Sequence, residues 1–200
     1  MGLTGGYATG KSFVASELGR LGCHIISADE IGHQVLEPGG SAYEPAVARF
    51  GKRIVGPAGK IDRKKLAALV FGDPAKLEEL NRIVHPAVIA AEQAIVDQIR
   101  ARDARAIVVL EAAILIEIGR HSAFDRLIVT VCDREIQIAR GMDREGASRE
   151  DVLARIARQM PSEEKRKFAD YIIDTGGTRE NTLAQVREIY CSLREVASAQ

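Results

Sequence analysis

Aromatic residues are scarce in this chain of 200 residues, at 4% of the composition, and tryptophan is missing altogether. Proteins that bind single-stranded nucleic acid stack the bases on aromatic side chains, so this composition disfavours that class of function. An excess of positive charge is missing as well, because 28 Lys and Arg residues balance 28 Asp and Glu residues. Without such an excess, neither duplex DNA nor an anionic membrane surface is expected as the main partner.

Long apolar segments are also absent from the sequence. The best candidate, residues 107–118, is interrupted by Glu111 and Glu117, whereas a membrane-spanning helix needs about 20 predominantly apolar residues. The opening residues MGLTGG do not match a secretory signal peptide. We therefore expect a protein that neither crosses nor binds a membrane.

Cysteine is rare and widely spaced, with three residues in the chain: Cys23, Cys132 and Cys191. An odd number of distant cysteines fits neither a disulfide framework nor a zinc site. Such cysteines are typical of a reducing compartment, where they serve as small apolar residues. Together these absences predict a cytoplasmic protein that requires no nucleic acid, membrane or obligate protein partner.

Short apolar runs alternate with amphipathic helical segments through most of the chain. The predicted strands cover residues 1–4, 24–27, 107–110, 127–131 and 171–173. Strands that alternate with helices are typical of a parallel sheet with right-handed crossovers. The sequence therefore predicts an α/β fold in which helices flank a parallel sheet.

Residues 41–102 interrupt this alternation, because they contain several helix signals and no obvious strand. Residues 41–44 (SAYE) have the spacing of a capping box, in which the serine and glutamate side chains satisfy the first N–H groups of a helix. Asp73 followed by Pro74 has the pattern of a second helix start. A helical insertion is therefore predicted at about residues 40–102.

The first glycines belong to a recognisable motif, since residues 5–12 (GGYATGKS) match the eight-residue phosphate-binding loop, or P-loop. The glycines allow backbone N–H groups to converge on phosphate oxygens, and the following helix presents its positive dipole end. In such loops the lysine reaches the β- and γ-phosphates and the serine hydroxyl ligates Mg²⁺. The residues predicted to bind a nucleoside triphosphate here are Gly5, Gly6, Ala8, Thr9, Gly10, Lys11, Ser12 and Phe13.

Three classes of protein use such a loop: switch GTPases, motor ATPases and small-molecule kinases. A switch GTPase needs a base-reading motif such as N-K-x-D, which this sequence lacks. A motor usually follows a buried strand with an Asp-Glu pair, and no such pair follows the strand at residues 107–110. The helical insertion and a later arginine-rich helix pair favour a kinase, with an acceptor-binding domain and a lid.

The arginine-rich helix pair is predicted to form a small helical lid at about residues 136–165. Asp133 and Ser148 are expected to cap its two helices. Arg140 and Arg144 lie one turn apart and share a helix face, where they can neutralise charge on a transferred phosphoryl group. Both are placed at the ATP site, although a solvated arginine face is an equal alternative for Arg144.

These segments resemble the dephospho-CoA kinase family over nearly the whole chain. Residues 3–12 match its L-T-G-G-x-x-x-x-G-K-S segment, and residues 27–33 match its D-A-D-x-x-A-R/H segment. Residues 113–117 (AILIE) are an altered form of its P-L-L-F-E segment. Further positions match in the family's order and spacing: Lys65, Leu66, Phe71, Leu77, Leu80, Asn81, His85, Pro86, Gln137, Arg140, Arg144, Gln159, Ala169, Asp170, Ile173 and Asp174.

The resemblance implies a P-loop kinase that uses ATP and Mg²⁺ to phosphorylate the ribose 3′-hydroxyl of dephospho-CoA, the last step of coenzyme A biosynthesis. It implies catalytic roles for Lys11, Asp29 and Arg140, with Ser12 as the Mg²⁺ ligand. Asp29 would take the proton of the attacking hydroxyl. Composition alone instead favours a helix N-cap for Asp29.

The acceptor site that the resemblance implies contains Asp29, His33, His85 and Glu111. His85 precedes Pro86 and is expected at the start of a long helix, where a lone histidine is more often structural. Glu111 ends a buried strand, so it can also reach the Mg²⁺ shell through water, orient Asp29, or simply be a solvated strand end. Ser27 stands where the family has an aspartate, so a hydroxyl replaces the first acid of that motif.

The predicted domain boundaries follow from these segments. The core comprises about residues 1–39, 103–135 and 166–200, the helical acceptor domain residues 40–102, and the lid residues 136–165. Residues 165–167 (KRK) are predicted to be solvated surface. Two alternatives stay open: another small-molecule kinase, such as a nucleoside monophosphate kinase, and a non-catalytic ATP-binding module, which Ser27 favours.

Overall fold

The structure, a computed structural model, describes residues 1–70 and 72–198. Phe71, one of the positions that carry the family resemblance, lies outside the described residues. The chain divides into two compact units, residues 1–27 with 99–200, and residues 28–98. We call these the sheet unit and the helical unit.

The sheet unit contains one parallel sheet of five strands. The strands are β1 Gly2–Gly5, β2 His24–Ser27, β3 Val108–Glu111, β4 Leu127–Val131 and β5 Tyr171–Asp174. Their order is β2-β3-β1-β4-β5, with β1 at the centre, and every pair is parallel. β4 is buried along its whole length, as its continuous apolar run predicts. The predicted α/β class with a parallel sheet is confirmed.

The helices account for most of the remaining described chain. They are α1 Lys11–Arg20, α2 Ala28–Gln34, α3 Tyr43–Phe50, α4 Arg63–Val70, α5 Pro74–Arg102, α6 Arg134–Glu145, α7 Arg149–Ala157, α8 Ser162–Arg166 and α9 Arg179–Ser198, with short 3-10 helices at Lys52–Ile54 and Arg120–Ala123. In residues 1–70 and 72–198, none of the helices combines the length and apolar character that crossing a bilayer requires.

Each unit has its own hydrophobic core. In the sheet unit, α1 and α9 pack on each other and on the sheet, and the core between them includes Leu3, Val14, Leu18, Val109, Ile128, Ile173, Val186 and Leu193. In the helical unit, the core lies between α3, α4 and their connection and includes Ala46, Phe50, Ile54, Ile61, Leu66 and Val70. The helical unit begins at Ala28, earlier than the predicted insertion at residue 40, because α2 continues directly from β2.

Two of the predicted helix caps are confirmed. Asp73 Oδ1 accepts hydrogen bonds from the N–H groups of Ala75 at 3.1 Å and Lys76 at 3.3 Å, at the start of α5. Ser148 Oγ accepts the N–H of Asp151 at 3.1 Å, at the start of α7. In both places the local sequence pattern alone determines where the helix begins.

The capping box predicted at residues 41–44 is wrong. α3 begins at Tyr43, and no side chain of the described residues caps it. The chain instead enters α3 through backbone hydrogen bonds, from Ala42 N–H to Val35 O at 2.9 Å and from Tyr43 N–H to Gly40 O at 3.1 Å. This turn leaves the serine of the motif outside the helix.

Two further predictions about helix ends are corrected. His85 does not start a helix, because α5 begins at Pro74 and Pro86 lies inside it, where it interrupts the hydrogen-bond ladder without ending the helix. Asp133 occupies the N-cap position of α6, but within the described structure its side chain makes no capping hydrogen bond.

Candidate active site

The P-loop connects β1 to α1 at the carboxyl edge of the sheet, where parallel α/β folds bind ligands. Gly10 caps α1 at φ 80°, in the left-handed region that glycine adopts freely. Gly5 approaches the neighbouring strand so closely that a Cβ there would collide with the Thr130 hydroxyl. Ala8 also has a left-handed φ, of 57°, and turns of this kind build anion-binding backbone nests.

Lys11, the first residue of α1, folds back over this loop. Its Nζ donates hydrogen bonds to the carbonyl oxygens of Gly5 at 3.1 Å and Gly6 at 3.0 Å. A charged phosphate oxygen is a stronger partner for an ammonium group than a neutral carbonyl. A triphosphate in the loop would therefore replace these carbonyls as the partners of Lys11.

Ser12 and Glu111 bring two oxygen ligands together beside the loop. Ser12 Oγ donates to Glu111 Oε1 at 2.8 Å, a contact set up by the pairing of Leu3 in β1 with Glu111 in β3. The described residues contain no group of three His, Cys, Asp or Glu able to hold a metal ion. Mg²⁺, however, keeps several waters and takes substrate phosphates as ligands, so this pair fits an ion that arrives with a nucleotide.

Arg140 of α6 is half-buried and held by the residue that follows β5. Its Nη1 donates to Thr175 Oγ1 at 2.9 Å, and its Nη2 donates to Thr175 O at 2.6 Å. A guanidinium group carries more N–H donors than these two. Further donors of Arg140 are therefore available to a phosphate group.

A pocket of about 510 Å³ adjoins these groups, within the common range of roughly 300–1,000 Å³ for ligand sites. Its walls are Ala8, Thr9, Gly10, Lys11, Ser12, Phe13, Arg140, Asp143, Arg144, Thr175, Gly177, Arg179 and Thr182. Cationic side chains outnumber anionic ones in this lining, which contains one lysine (Lys11) and three arginines but a single acidic residue, Asp143. The pocket therefore suits a polyanionic ligand such as a triphosphate.

Sequence reasoning did not single out the pocket residues that follow β5, among them Thr175 and Arg179. Their position after the carboxyl end of a parallel strand is the signal that points to them. The guanidinium carbon of Arg179 lies 4.9 Å from the centre of the Phe13 ring, and its Nη2 lies 3.8 Å from Glu17 Oε1. The cation–π contact holds Phe13 at the wall of the pocket.

The helix pair α6 and α7 touches the P-loop through Tyr7. Arg155 of α7 places its guanidinium carbon 5.6 Å from the centre of the Tyr7 ring. Gly141 of α6 permits this approach, because a Cβ there would lie 2.8 Å from Tyr7 Cε1. The two helices are joined by hydrogen bonds from Arg149 to both carboxylate oxygens of Glu135, at 3.0 and 2.8 Å. This contact lowers the pKa of the Glu135 carboxyl.

Asp29, His33 and His85 belong to the helical unit. Asp29 is exposed and is the second residue of α2, so it is not the N-cap of that helix, and the cap alternative is wrong. His33 lies one turn later on the same face of α2 and is also exposed. His85 is half-buried in the middle of α5.

The thiols of the two least exposed cysteines do not fit a nucleophilic role. Burial raises the pKa of Cys23 to about 11, and burial also raises the pKa of Cys132. Both thiols therefore stay protonated at neutral pH, whereas the thiolate is the reactive form. All three cysteines are free in the described chain.

Lys165 is fully buried, with 0% exposure, so the prediction of solvated surface at residues 165–167 is wrong for this residue. Its Nζ donates to Ala113 O at 2.7 Å and lies 2.8 Å from Glu117 Oε1. The same Glu117 oxygen accepts the N–H of Met160 at 3.0 Å. These partners lie in the loop after β3, distant in sequence, so local composition gives no sign of them.

Replacing Lys165 by alanine is expected to lower the free energy of unfolding by about 3 kcal/mol, because it leaves a cavity in place of a fully buried side chain and removes the hydrogen bond from Nζ to Ala113 O. Urea unfolding followed by circular dichroism measures this loss. Lys167→Ala is the matched control, since Lys167 pairs with Glu164 on the surface, and it should cost less than about 1 kcal/mol. Equal losses in the two variants would contradict the structural role of Lys165.

Comparison with known proteins places this chain among its relatives. A dephospho-CoA kinase family model matches residues 1–181. The dephospho-CoA kinase of Geobacillus kaustophilus is 42% identical, with 94% of each chain covered. That of Leifsonia xyli is 41% identical, covering 97% of this chain and 98% of the relative.

Solved structures agree with these relatives. A Thermus thermophilus protein has a TM-score of 0.83 at 32% identity, covering 96% of this chain and 95% of that chain. A dephospho-CoA kinase from Campylobacter jejuni has a TM-score of 0.71 at 28% identity, covering 97% of this chain and 96% of that chain. The chain therefore belongs to the dephospho-CoA kinase family, and it is a kinase of the last step of coenzyme A biosynthesis.

Proposed function

We propose that the pocket beside the P-loop binds ATP and that the chain transfers its γ-phosphoryl group to the ribose 3′-hydroxyl of dephospho-CoA, giving ADP and coenzyme A. The observation that carries the proposal is the convergence of Lys11, Ser12 and Arg140 on one cationic pocket. Phosphoryl transfer requires little covalent chemistry from the protein. It depends on positioned cations around the phosphates and on an aligned acceptor.

The nucleotide lies along the P-loop in this proposal. Lys11 leaves the carbonyl oxygens of Gly5 and Gly6 and binds the β- and γ-phosphates, while N–H groups of the loop and of α1 bind the remaining oxygens. The adjoining walls, from Phe13 to Arg179, surround the rest of the nucleotide. Because the phosphates are fixed before reaction, little reorganisation is needed during transfer.

Mg²⁺ would be held by Ser12 Oγ, with the Glu111 carboxylate accepting a hydrogen bond from water in the metal shell. When bound, the ion supplies positive charge to the β- and γ-phosphates. The 2.8 Å contact between Ser12 and Glu111 supports this role for Glu111 in preference to the acceptor site. Ser12 would turn its lone pairs to the ion while Glu111 keeps it oriented.

The acceptor hydroxyl is activated by Asp29. Its carboxylate takes the proton of the 3′-hydroxyl as the 3′-oxygen bonds to the γ-phosphorus. The bond between the γ-phosphorus and the oxygen that bridges the β- and γ-phosphates breaks at the same time, which releases ADP. The exposure of Asp29 and its place just after β2 support this role. His33 and His85 belong to the same unit. His33 would contact the acceptor's phosphates, and His85 would border the acceptor site. Ser27 adds a hydroxyl where the family has the first acid of its D-A-D segment.

Arg140 and Arg144 neutralise charge on the transferred group from α6. The region of residues 136–165 acts as the lid, the helical unit (residues 28–98) as the acceptor domain, and the rest as the core. Closure of a lid excludes water, which competes as a phosphoryl acceptor. The free cysteines are compatible with a reducing cytoplasm as the location of the reaction.

The experiment that tests the function is an acceptor panel. ADP release is measured with ATP, Mg²⁺ and either dephospho-CoA, AMP, CMP or shikimate. The proposal predicts rapid, acceptor-dependent release with dephospho-CoA alone. Preference for AMP or CMP would indicate a nucleoside monophosphate kinase, and no release with any acceptor would indicate a non-catalytic ATP-binding module.

Glu111→Gln is expected to raise the Mg²⁺ concentration needed for half-maximal activity about tenfold, the scale at which groups behind a metal ligand act. Glutamine keeps an oxygen that can accept the Ser12 hydrogen bond, so the fold is preserved. A magnesium titration of turnover at saturating ATP measures the effect. Glu188→Gln, on the exposed surface of α9, is the control. An unchanged titration curve for Glu111→Gln would remove Glu111 from the metal shell.

A further inference from the structure

Buried threonines connect the lid arginine to the P-loop. Thr9, Thr130 and Thr175 are 0%, 0% and 4% exposed, and they come from the P-loop, from β4 and from the residue after β5. Thr175 Oγ1 donates to Thr9 O at 2.9 Å, and the Thr9 and Thr130 hydroxyls lie 2.8 Å apart. With Arg140 at one end, these contacts connect α6 to the backbone of Thr9 and, through the Thr9 side chain, to β4.

The directions of these hydrogen bonds are largely determined by their chemistry. Arg140 only donates, so the Thr175 hydroxyl accepts from it at 2.9 Å. The single hydrogen of Thr175 is then directed to Thr9 O, its nearer carbonyl partner, at 2.9 Å rather than to Val131 O at 3.3 Å. Thr9 Oγ1 in turn donates to Gly6 O at 2.8 Å. Gly6 O is also a partner of Lys11 Nζ, at 3.0 Å.

The same threonine also packs tightly against the loop. A Cβ on Gly10 would lie 3.3 Å from Thr175 Oγ1, and Thr175 N–H donates to Val131 O at 2.9 Å, which anchors its backbone to the end of β4. Thr175 is therefore held by the sheet on one side and contacts both the loop and Arg140 on the other. A side chain with these constraints can set the position of a more flexible arginine.

We infer that Thr175 is a positioning residue for phosphoryl transfer: its hydroxyl holds the Arg140 guanidinium at the pocket and couples it to the P-loop backbone at Thr9. This inference rests on the proposed role of Arg140 in the reaction. Without the hydroxyl, Arg140 keeps one hydrogen bond, to Thr175 O, and pivots about it. Losing the hydroxyl is then expected to weaken stabilisation of the transition state, in which the arginine interacts with developing negative charge. It should weaken ground-state ATP binding less.

The test compares Thr175→Val, Thr175→Ser, Arg140→Ala and the double variant Thr175→Val/Arg140→Ala in the same dephospho-CoA assay. Thr175→Val keeps the shape of the side chain and removes the hydroxyl. Its kcat is expected to fall about tenfold, the scale of a lost hydrogen bond to a charged group, with the KM for ATP changed less than about threefold. Thr175→Ser restores the hydroxyl and should recover kcat to within about twofold of the parent.

The double variant separates positioning from a merely structural role. If Thr175 acts through Arg140, then Thr175→Val causes no further loss once Arg140 is alanine. Independent, multiplicative losses would overturn the inference, as would a parental kcat in Thr175→Val. Should Thr175→Val fail to fold in a melting experiment, the same comparison is made with Thr175→Ala.

The outcomes distinguish this inference from the proposed function. A parent chain that does not phosphorylate dephospho-CoA contradicts the proposed function itself. An active parent with an unimpaired Arg140→Ala variant contradicts the role of Arg140, and the inference with it. An active parent that loses activity in Arg140→Ala but not in Thr175→Val contradicts the inference about Thr175 alone.

Discussion

Lys11→Ala is expected to lower kcat/KM for phosphoryl transfer by about 10²- to 10³-fold, the cost of removing one donor from a preorganised site for developing negative charge. The fold should survive, because the hydrogen bonds that Lys11 Nζ donates to the Gly5 and Gly6 carbonyl oxygens are only partly buried. Steady-state ADP release and thermal melting measure the two quantities. Lys167→Ala removes a surface lysine of the same chain and should keep parental turnover.

An active Lys11→Ala variant with an unchanged melting temperature would contradict the assignment of the P-loop. It would mean that the reacting phosphates lie elsewhere in the pocket. A variant that is inactive because it no longer melts cooperatively would be replaced by Lys11→Met, which retains the aliphatic stem over the loop.

Asp29→Asn is expected to lower kcat by about 10²-fold or more, the contribution of a general base, because asparagine does not accept a proton at neutral pH. The free energy of unfolding should change by less than about 1 kcal/mol. Asp29 is exposed in the first turn of α2, where its charge interacts with the helix dipole only modestly. ATP affinity measured by calorimetry should be unchanged, since residues 5–12 are untouched.

Glu30→Gln is the matched control for Asp29→Asn, because it removes the same charge one residue further along α2. Any effect on helix stability is then common to both variants, and only Asp29→Asn should lose turnover. Parental turnover of dephospho-CoA in Asp29→Asn would remove Asp29 from the reaction. Equal losses in both variants would indicate that the charge of α2, and not the base, is what matters.

The strands and the P-loop could be predicted from local sequence because their signals are local. β2 and β4 have the predicted bounds, since a short apolar run between turn residues leaves few alternatives. The start of α1 at Lys11 follows from the motif itself. Asp73 shows the same rule, since a capping aspartate before a proline needs no distant partner.

Features that depend on distant partners were not predictable in this way. Lys165 is surrounded in sequence by charged residues, yet its Nζ is buried against Ala113 and Glu117. Arg140 was expected at the site from its helix face. Its anchor, Thr175, is separated from it in sequence by the end of α6 and by all of α7, α8 and β5. At residues 41–44 a local pattern was present but misleading. The capping box does not form there, because the chain enters α3 through a backbone turn.

The Ser12–Glu111 contact lies between these cases. Each residue was singled out separately, one from the P-loop and the other from the end of an apolar strand. Their contact depends on β3 lying next to β1, which sequence periodicity does not specify. Knowledge of the strand order is therefore what changes the role proposed for Glu111, from the acceptor site to the metal shell.

The most direct test of the account is phosphorus NMR of the products formed from ATP, Mg²⁺ and dephospho-CoA. The account predicts ADP and, in equal amount, a new phosphomonoester on the ribose 3′-oxygen, with little inorganic phosphate. ADP accompanied by inorganic phosphate and unchanged dephospho-CoA would show that the protein hydrolyses ATP without transferring the γ-phosphoryl group. That result would contradict the proposed function.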